Sequence, residues 1–456
     1  MSSNHAHRIG KFGTIALLVN NVVGPGIPSI PHVFQSAGWL PSIAVIVIMC
    51  SVSIYASMCL CEALLRIPGN RDYTKNVEFL GIAKHYFTTN QYRATVLLMV
   101  VSLQAVLIAS IIQSIQVADD AIEKMFGKSC GVMFHPKFHV ICARDLDLLS
   151  NAVLISAGFA VFAVMVIPVG FFDLDDSIII QKGCFLLLLF ILAEWVAHFS
   201  SMPVNLKAVP VLGHDLHQVL GVLGFNYCFV SFVPAWVNKK SRGVGELSYV
   251  SSSTIFGSVV FILVGMWAAL VLPIAADRDV LDVMNDQPSF MAVFSVFAFP
   301  VCVNISGIPV LSIVIRDNLV TEGFCSPRWG AFWANVFPWM LTMPFYTGAG
   351  FQNLVNWTSL LFMGLLNFVV PLILYIKATS PRAGRRERVG LADEEAAGED
   401  GPSLLQQEPS GGMGGRVHLS PSAASVVGGV LVKTSSSHHH VVEHGEQGED
   451  FKDGNP

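Results

Sequence analysis

The 456-residue chain is 53% hydrophobic and only 13% charged, with a net charge of −5 and a mean hydropathy of +0.59. Soluble domains carry about 25% charged residues, so this composition excludes an ordinary soluble protein. Repeated long apolar runs instead predict an all-α polytopic membrane protein, because each run can cross a hydrocarbon core of about 30 Å. The few charges lie in the loops and the tail, and no nucleic-acid partner is expected.

Ten membrane spans are predicted between residues 11 and 378, after a short cytoplasmic leader at 1–10. The tail at 379–456 is rich in Gly, Ser, Glu, Arg and His, which predicts a disordered cytoplasmic segment. The expected spans are 11–37, about 40–66, about 94–118, about 149–171, about 178–198, 214–238, about 251–275, about 289–315, about 330–346 and about 353–377. Apolar residues at helical spacing also predict an interfacial helix over 77–87.

The loops are basic between spans 2 and 3, 6 and 7, and 8 and 9, which predicts that both termini are cytoplasmic. Cys130 and Cys142 flank a polar loop that then faces the exterior or an organelle lumen. A disulfide between these two cysteines and two free thiols are both compatible with that position. The expected location is the plasma membrane or a vacuolar or lysosomal membrane.

The first span is interrupted between Asn20 and Trp39, in the stretch NNVVGPGIPSIPHVFQSAGW, where two glycines and three prolines fall within eight residues. Proline lacks the backbone donor and clashes with the preceding turn, so a regular helix cannot continue there. Broken backbone at membrane depth persists only where it is buried in protein or lines a cavity. The break therefore predicts a binding site, and a merely kinked helix is the alternative.

The sixth span is interrupted as well, by Gly221, Gly224, Asn226 and Pro234. Two interrupted spans at corresponding places in two halves are typical of an inverted-repeat transporter with its site near the bilayer midplane. Spans 1–5 and 6–10 are then the two repeats. No residue-level repeat is visible, so this symmetry depends on the positions of the breaks, and two unrelated kinks are the alternative.

The two breaks offer groups that suit a small zwitterion. Backbone amides freed at the start of a half-helix can bind a carboxylate, and carbonyls at the end of the preceding half-helix can hold an ammonium group or a cation. The candidate substrate-binding residues are Val22, Gly24, Gly26, Ile27, Phe225, Asn226 and Tyr227. For Tyr227, a packed ring with a satisfied hydroxyl is an equally good interpretation.

The chain resembles the amino acid/auxin permease family, within the superfamily that includes LeuT-type carriers. The resemblance covers roughly residues 10–378 and is carried by the first break, by GIPVLSIVIRDNL in span 8, and by PWMLTMPFYTGAGFQNLVNWTSLLFMGLLNFVVPLILY. It implies a LeuT-like 5+5 inverted repeat and a secondary active carrier of neutral or cationic amino acids. The coupling ion would be H⁺ or Na⁺, with no other cofactor. The family usually has eleven spans, so an eleventh is possible here.

The candidate ion-coupling residues are Asn20, Asn304, Ser306 and Glu194. By resemblance, Asn20 matches a coordinating asparagine of sodium-coupled relatives, although it can equally cap frayed carbonyls. Asn304 and Ser306 either complete an ion site or bond neighbouring helices. Glu194 and His198 share one helix face, where they pair, relay protons or lie at the membrane interface. The hydroxyls around span 8 do not clearly match the sodium-coupled pattern, so proton coupling stays open.

A channel or an amino-acid-sensing receptor on the same fold is the alternative function. An enzyme is not expected, because the sequence has no HExxH pair, no GxSxG motif in a credible setting and no intramembrane aspartyl pair. The absence of a P-loop argues against ATP as the energy source, and no metal site is predicted.

Overall fold

The structure, a computed structural model, describes residues 8–24, 26–135, 137–143, 153–274, 280–285, 289–345 and 361–380. All of these residues fall within Met1–Glu399. The predicted disordered tail therefore lies outside the described residues beyond position 380, as do positions 353–360 of the expected tenth span.

Helices dominate, as a low-dielectric surrounding requires, because a helix satisfies its own backbone donors and acceptors. They are α1 (Lys11–Val22), α2 (Ile30–Ala37), α3 (Trp39–Leu65), α4 (Phe79–Tyr86), α5 (Thr89–Phe126), α6 (Ala157–Val166), α7 (Ile178–Ser200), α8 (His217–Phe225), α9 (Val233–Lys239), α10 (Glu246–Val271), α11 (Val280–Asn285), α12 (Phe290–Thr321), α13 (Pro327–Ala331), α14 (Phe337–Thr342) and α15 (Leu361–Thr379). The helix predicted over 77–87 is present as α4, and its apolar face is buried.

Seven helices among the described residues are long and apolar enough to cross a membrane, and the bent pair α1–α2 makes an eighth. The seven are α3, α5, α7, the segment Val219–Lys239 that contains most of α8 and all of α9, α10, α12 and α15. The protein is therefore a multi-pass integral membrane protein. The expected fourth and ninth spans are shorter or more irregular: α6 with its 3₁₀ extension covers only Ala157–Phe171, and a π-helical turn separates α13 from α14.

The polar segment between α5 and α6 contains a small antiparallel sheet of β1 (Ser129–His135), β2 (His139–Ala143) and β3 (Val153–Ser156), in the order β2-β1-β3. The expectation that span 4 begins near 149 is therefore wrong, because 153–156 is strand. Its β-branched residues pair with β1, which satisfies their backbone outside any helix.

A disulfide links two strands within this sheet, and one buried carboxylate links the sheet to the helices. Cys130 lies directly opposite Cys142 in the β1–β2 ladder, and the structure joins them by a disulfide. The buried carboxylate of Asp119, near the end of α5, accepts hydrogen bonds from Ser129 Oγ (2.7 Å) and from Gly158 N in the first turn of α6 (2.9 Å). One carboxylate thus connects α5, the sheet and α6.

Helix α10 supports both halves of the interrupted first span. A side chain at Gly257 would collide with Val22 in α1, and one at Gly265 would collide with Ile30 and Phe34 in α2. Small residues at such positions let helix backbones approach closely in membranes. The two glycines therefore allow α1 and α2 to lie against one continuous helix despite the break between them.

The residues before α1 are tied to the end of α9 by backbone hydrogen bonds. Ile9 N donates to Lys239 O (2.9 Å), and Ser241 N donates to Ile9 O (3.0 Å). Ile9 is only 2% exposed, so this part of the predicted leader packs with the helices. We call this pair of bonds the Ile9 latch. One turn further on, Trp236 Nε1 donates to Thr14 Oγ1 (3.3 Å).

Near the same end of the bundle, the buried carboxyl group of Glu78 lies just before α4. Its Oε1 accepts from Asn238 Nδ2 (3.2 Å), which also donates to Val77 O (3.0 Å). Burial and, to a smaller extent, the neighbouring carboxylate of Asp317 raise the pKa of Glu78 to about 7, against the opposing effects of Asn238 and Lys239. The side chain of Glu78 is 3% exposed, so little solvent screens these effects.

Glu78 should make stability depend on pH. Its pKa lies near 7 in the folded protein and near the ordinary value of 4.5 in the unfolded chain. Between these values the folded state holds more protons, so stability should fall as pH rises through this window. We expect Glu78→Gln to flatten that slope, so that the unfolding temperature falls less between about pH 5 and about pH 8 in the variant than in the wild type. Thermal unfolding of purified protein in detergent measures this, and identical slopes in both proteins would contradict it.

Candidate functional site

The first span breaks immediately after α1. The helix ends at Val22, a 3₁₀ turn covers Ile27–Ser29, and the two helical segments Lys11–Val22 and Ile27–Ala37 meet at 49°. The amides expected to be free are engaged: Gly24 N donates to Val22 O (3.0 Å), and Ile27 N lies 3.5 Å from Gly24 O. The prediction of open amides at these two positions is wrong for this conformation, because tight local turns satisfy them.

The sixth span is also interrupted, but without a sharp bend. Helix α8 ends at Phe225, a turn and the 3₁₀ segment Val230–Phe232 follow, and α9 begins at Val233. Val219–Lys239 still counts as one apolar span. The irregular backbone between α8 and α9 contacts α15, where Ser231 N donates to the Asn367 side chain (2.8 Å).

A cavity of about 100 Å³ lies where these two irregular segments face α5 and α12. The end of α1 contributes Asn20, Asn21 and Gly24, and α12 contributes residues on both sides of Pro309. No charged side chain lines this cavity in the part of the chain that the structure describes. Its lining residues are Asn20, Asn21, Gly24, Leu103, Val106, Ser110, Phe225, Asn226, Cys228, Phe229, Ser231, Phe232, Val303, Asn304, Gly307, Ile308, Val310, Leu311, Val314 and Met363.

Three buried carboxamides line this cavity and leave polar atoms without a hydrogen-bond partner. These atoms are Asn20 Oδ1, Asn226 Oδ1 and Asn304 Nδ2. The three residues are 5%, 4% and 2% exposed. An unpartnered buried polar atom costs about 1–3 kcal/mol, so three of them around one cavity indicate a place for a polar ligand.

The structure brings together five of the predicted site residues: Asn20, Gly24, Phe225, Asn226 and Asn304 all line the cavity. Asn20 does not cap its own helix, because its Nδ2 donates to Gln181 in α7. Asn21 Nδ2 donates to Leu17 O (2.7 Å), a carbonyl in the interior of α1.

Four predicted substrate residues lie behind the cavity wall. Val22 packs against Gly257, and Ile27 is 1% exposed. The ring of Tyr227 is fully buried against Phe261, and its hydroxyl lies 2.6 Å from Ser258 Oγ. The alternative interpretation of Tyr227, a packed ring with a satisfied hydroxyl, therefore describes its position. Gly26 acts on the wall indirectly, because it lies against the side chain of Asn226.

Two predicted ion-coupling residues also lie away from the cavity. Ser306 Oγ donates to Val303 O (2.9 Å), and the Ser306 carbonyl accepts from Gln181 Nε2 (2.8 Å). Glu194 lies about 20 Å further along α7 than Gln181, at 1.5 Å per residue. Glu194 Oε2 and His198 Nε2 are each without a hydrogen-bond partner, so the two side chains do not pair through these atoms.

The residue that sequence reasoning missed is Gln181 in α7. Its side chain is 1% exposed and contacts both Asn20 and Ser306. The available signal was a single amide near the start of an otherwise apolar span, because a buried amide in a membrane needs a partner on a neighbouring helix.

A family model described as "transmembrane amino acid transporter protein" matches residues 7–267, which is more than half of the chain. The chain belongs to this family. Membership of this family indicates a transport protein rather than an enzyme. A comparison with curated protein sequences gives no match.

Among solved structures, the transporter is similar to Mhp1, a nucleobase-cation-symport-1 family transporter in a closed conformation with bromovinylhydantoin bound. The TM-score is 0.56 at 12% identity, over 80% of this chain and 79% of that chain. At this identity the similarity concerns the fold alone. Mhp1 and LeuT-type carriers share that fold, so the LeuT-type resemblance seen in the sequence is confirmed at the level of architecture.

Gly26 and Gly24 provide a matched pair of variants for the cavity wall. A Cβ at Gly26 would lie 2.7 Å from both Asn226 Oδ1 and Nδ2, whereas one at Gly24 would lie 3.8 Å from Asn226 Oδ1. Overpacking costs about 1–3 kcal/mol. We therefore expect Gly26→Ala to lower the initial uptake rate roughly tenfold or more, and Gly24→Ala to lower it much less.

Both variants should reach the membrane in wild-type amounts, which surface labelling or immunoblotting of membranes measures. Gly26→Leu should abolish uptake altogether while the protein still inserts. Equal uptake by the two alanine variants would show that the contact between Gly26 and Asn226 does not shape the site.

Proposed function

We propose that the protein is a secondary active transporter of small neutral amino acids, which works by alternating access around the cavity between the first break and the α8–α9 segment. The observation that carries this proposal is the set of three carboxamides around an uncharged cavity, each with one polar atom that has no hydrogen-bond partner. The coupling ion is H⁺ or Na⁺.

The absence of charge among the lining residues favours a substrate without net charge. A cationic or anionic side chain on the substrate would be buried here without a counter-ion, at a cost of several kcal/mol. A zwitterion is neutral overall, and each of its two charged groups can be met by dipoles. The proposal therefore narrows the neutral or cationic amino acids implied by the family resemblance to the neutral ones.

The unpartnered atoms match the two ends of such a zwitterion. Asn20 Oδ1 and Asn226 Oδ1 are acceptors for an ammonium group, and Asn304 Nδ2 is a donor for a carboxylate. Phe225 and Phe229 provide apolar surface for a small side chain. The volume of about 100 Å³ suits a small ligand better than a bulky aromatic one.

Helix packing supports the 5+5 repeat. If α6 is span 4 and α13–α14 is span 9, the packed pairs recur on shifting by five spans. The contact of α1 with α10 corresponds to the contact of α8 and α9 with α3. The contact of α5 with α6 corresponds to the contact of α12 with α13. The contact of α7 with α12 corresponds to the contact of α15 with α5. This recurrence supports ten spans. The loop charges are the basis for placing both termini in the cytoplasm, and the proposed location is a plasma, vacuolar or lysosomal membrane.

Asn20 is the proposed link to the coupling ion, because its unpartnered Oδ1 is an acceptor at the cavity. The unpartnered Nδ2 of Asn304 is a donor, so Asn304 suits the carboxylate of the substrate rather than the cation. Pro309 cannot donate to the carbonyl of Ile305 in the preceding turn, so α12 offers a further acceptor close to Asn304. Glu194 is too far along α7 to share a proton with this group directly.

Uptake into proteoliposomes tests the function. Purified protein should accumulate a labelled small neutral amino acid such as alanine or serine against its gradient, and only under an imposed Na⁺ or H⁺ gradient. Labelled lysine and glutamate serve as charged controls and should not compete. Flux that only equilibrates would indicate a channel, and binding without flux would indicate a sensor.

Asn226 and Tyr227 are adjacent residues with opposite expected behaviour. Asn226→Ala removes a cavity acceptor and should raise the KM about tenfold, the effect of about 1.4 kcal/mol. Tyr227→Phe removes only the bond to Ser258 and should cost about 1 kcal/mol of stability without changing the KM. Uptake kinetics and thermal unfolding separate these effects, and a large KM change in Tyr227→Phe would place Tyr227 in the site.

A further inference from the structure

Gln181 connects three helices through its amide group. Asn20 Nδ2, at the end of α1, donates to both the backbone carbonyl and the side-chain Oε1 of Gln181, each at 2.9 Å. Gln181 Nε2 in turn donates to the backbone carbonyl of Ser306 in α12 at 2.8 Å. Residue 181 therefore links the half-helix before the break to the helix on the far side of the cavity.

The two backbone carbonyls fix the orientation of both amides. A carbonyl oxygen only accepts, so the Gln181 atom facing Ser306 O must be the nitrogen, and Gln181 Oε1 is then turned toward Asn20. The Asn20 atom facing Gln181 O must likewise be Nδ2. With its nitrogen held by Gln181, Asn20 keeps Oδ1 as an unpartnered acceptor at the cavity.

We propose that Gln181 is a positioning residue, which holds the Asn20 carboxamide in the one orientation that offers Oδ1 to the ligand in the cavity. The ligand is the ammonium group of the amino acid or the coupling cation, since both are recognised by a carbonyl oxygen. This inference rests on the proposed transport function, and it assigns to α7 a role in the site although Gln181 does not line the cavity.

The consequence for binding is preorganisation. A carboxamide free to rotate would present its nitrogen for part of the time, and a donor repels a cationic group. Locking the amide removes that competing orientation before the ligand arrives, so affinity rises without a new contact. Loss of Gln181 should therefore appear in the KM rather than in the maximal rate.

A double-mutant cycle between Asn20 and Gln181 tests whether Gln181 acts through the Asn20 amide. Gln181→Met keeps the size of the side chain and should raise the KM about tenfold. In an Asn20→Ala background the same change should alter the KM less than about twofold, because the amide that Gln181 orients is gone. An equal factor in both backgrounds, or a wild-type KM in Gln181→Met, would overturn the proposal.

Asn335→Leu is the matched control. Asn335 is a buried amide that donates to the carbonyl of Ile167 (2.6 Å) and does not line the cavity. Its loss should lower the amount or stability of the protein while leaving the KM within about twofold. A KM change in this variant equal to that in Gln181→Met would mean that any lost buried amide has the same effect.

Gln181→Glu provides a rescue that a merely structural role would not show. A protonated glutamic acid can donate to Ser306 O and accept from Asn20, whereas the ionised form cannot donate. At about pH 5.5 the KM of Gln181→Glu should be closer to the wild-type KM than the KM of Gln181→Met is. At about pH 9 the two variants should have similarly raised KM values. The same defect in both variants at about pH 5.5 would contradict the proposal.

Several ionisable groups lie on the helices around Gln181. Cys184 and Cys302 are about one turn from Gln181 and Ser306, and Lys182 directly follows Gln181 with its side chain near Gly13. Arg316 and Asp317 lie about 15 Å beyond Ser306 along α12. Each variant is compared with wild type at the same pH, which removes any pH dependence of transport itself.

The failure of this proposal is distinguishable from the failure of the proposed function. If wild-type protein accumulates no amino acid, the function fails. The hydrogen-bond network is then still measured by thermal unfolding: Gln181→Glu should be more stable than Gln181→Met at about pH 5.5, with a smaller difference at about pH 9. No such difference would show that the network is absent.

Discussion

The hydrogen bonds between Asn20 and Gln181 are the interaction on which the rest of the site depends. A broken helix in hydrocarbon exposes polar groups that have no water to bind, so each must find a partner within the protein. Asn20 Nδ2 donates across to Gln181 in α7, and Asn21 Nδ2 donates back to Leu17 O in its own helix. Three of the atoms that remain without a partner, Asn20 Oδ1, Asn226 Oδ1 and Asn304 Nδ2, belong to residues that line one cavity.

The surrounding helices hold both irregular segments in place. Gly257 and Gly265 bring α10 against both halves of the broken span, while Gln181 links α1 to α12. The α8–α9 segment is held by Ser53 Oγ, which donates to Tyr227 O (3.1 Å), and by Ser231 N, which donates to the Asn367 side chain on α15.

Much of the architecture was accessible from the sequence, because hydropathy and backbone chemistry both act locally. The first break, the interruption after Phe225 and the helix over 79–86 all follow from residues within a few positions of each other. The sheet at Ser129–Ser156 was not predicted, since an apolar run containing Val153–Ser156 is compatible with strand as well as helix. The roles of Tyr227 and Glu194 depended on depth along a helix and on which face is turned inward, and short-range patterns do not fix either. Gln181 was missed for the same reason: its importance comes from two residues more than a hundred positions away.

The Ile9 latch is made entirely of main-chain atoms, so no particular side chain is needed for it. Substitutions at Lys239 or Ser241 leave these main-chain bonds in place, provided that position 241 does not become proline, whereas Ile9 is also held by its buried side chain. The two hydrogen bonds contribute only about 1 kcal/mol each. An opening motion of α1 against α9 would break them together with the bond from Trp236 to Thr14, and would also expose the buried side chains of Ile9 and Trp236.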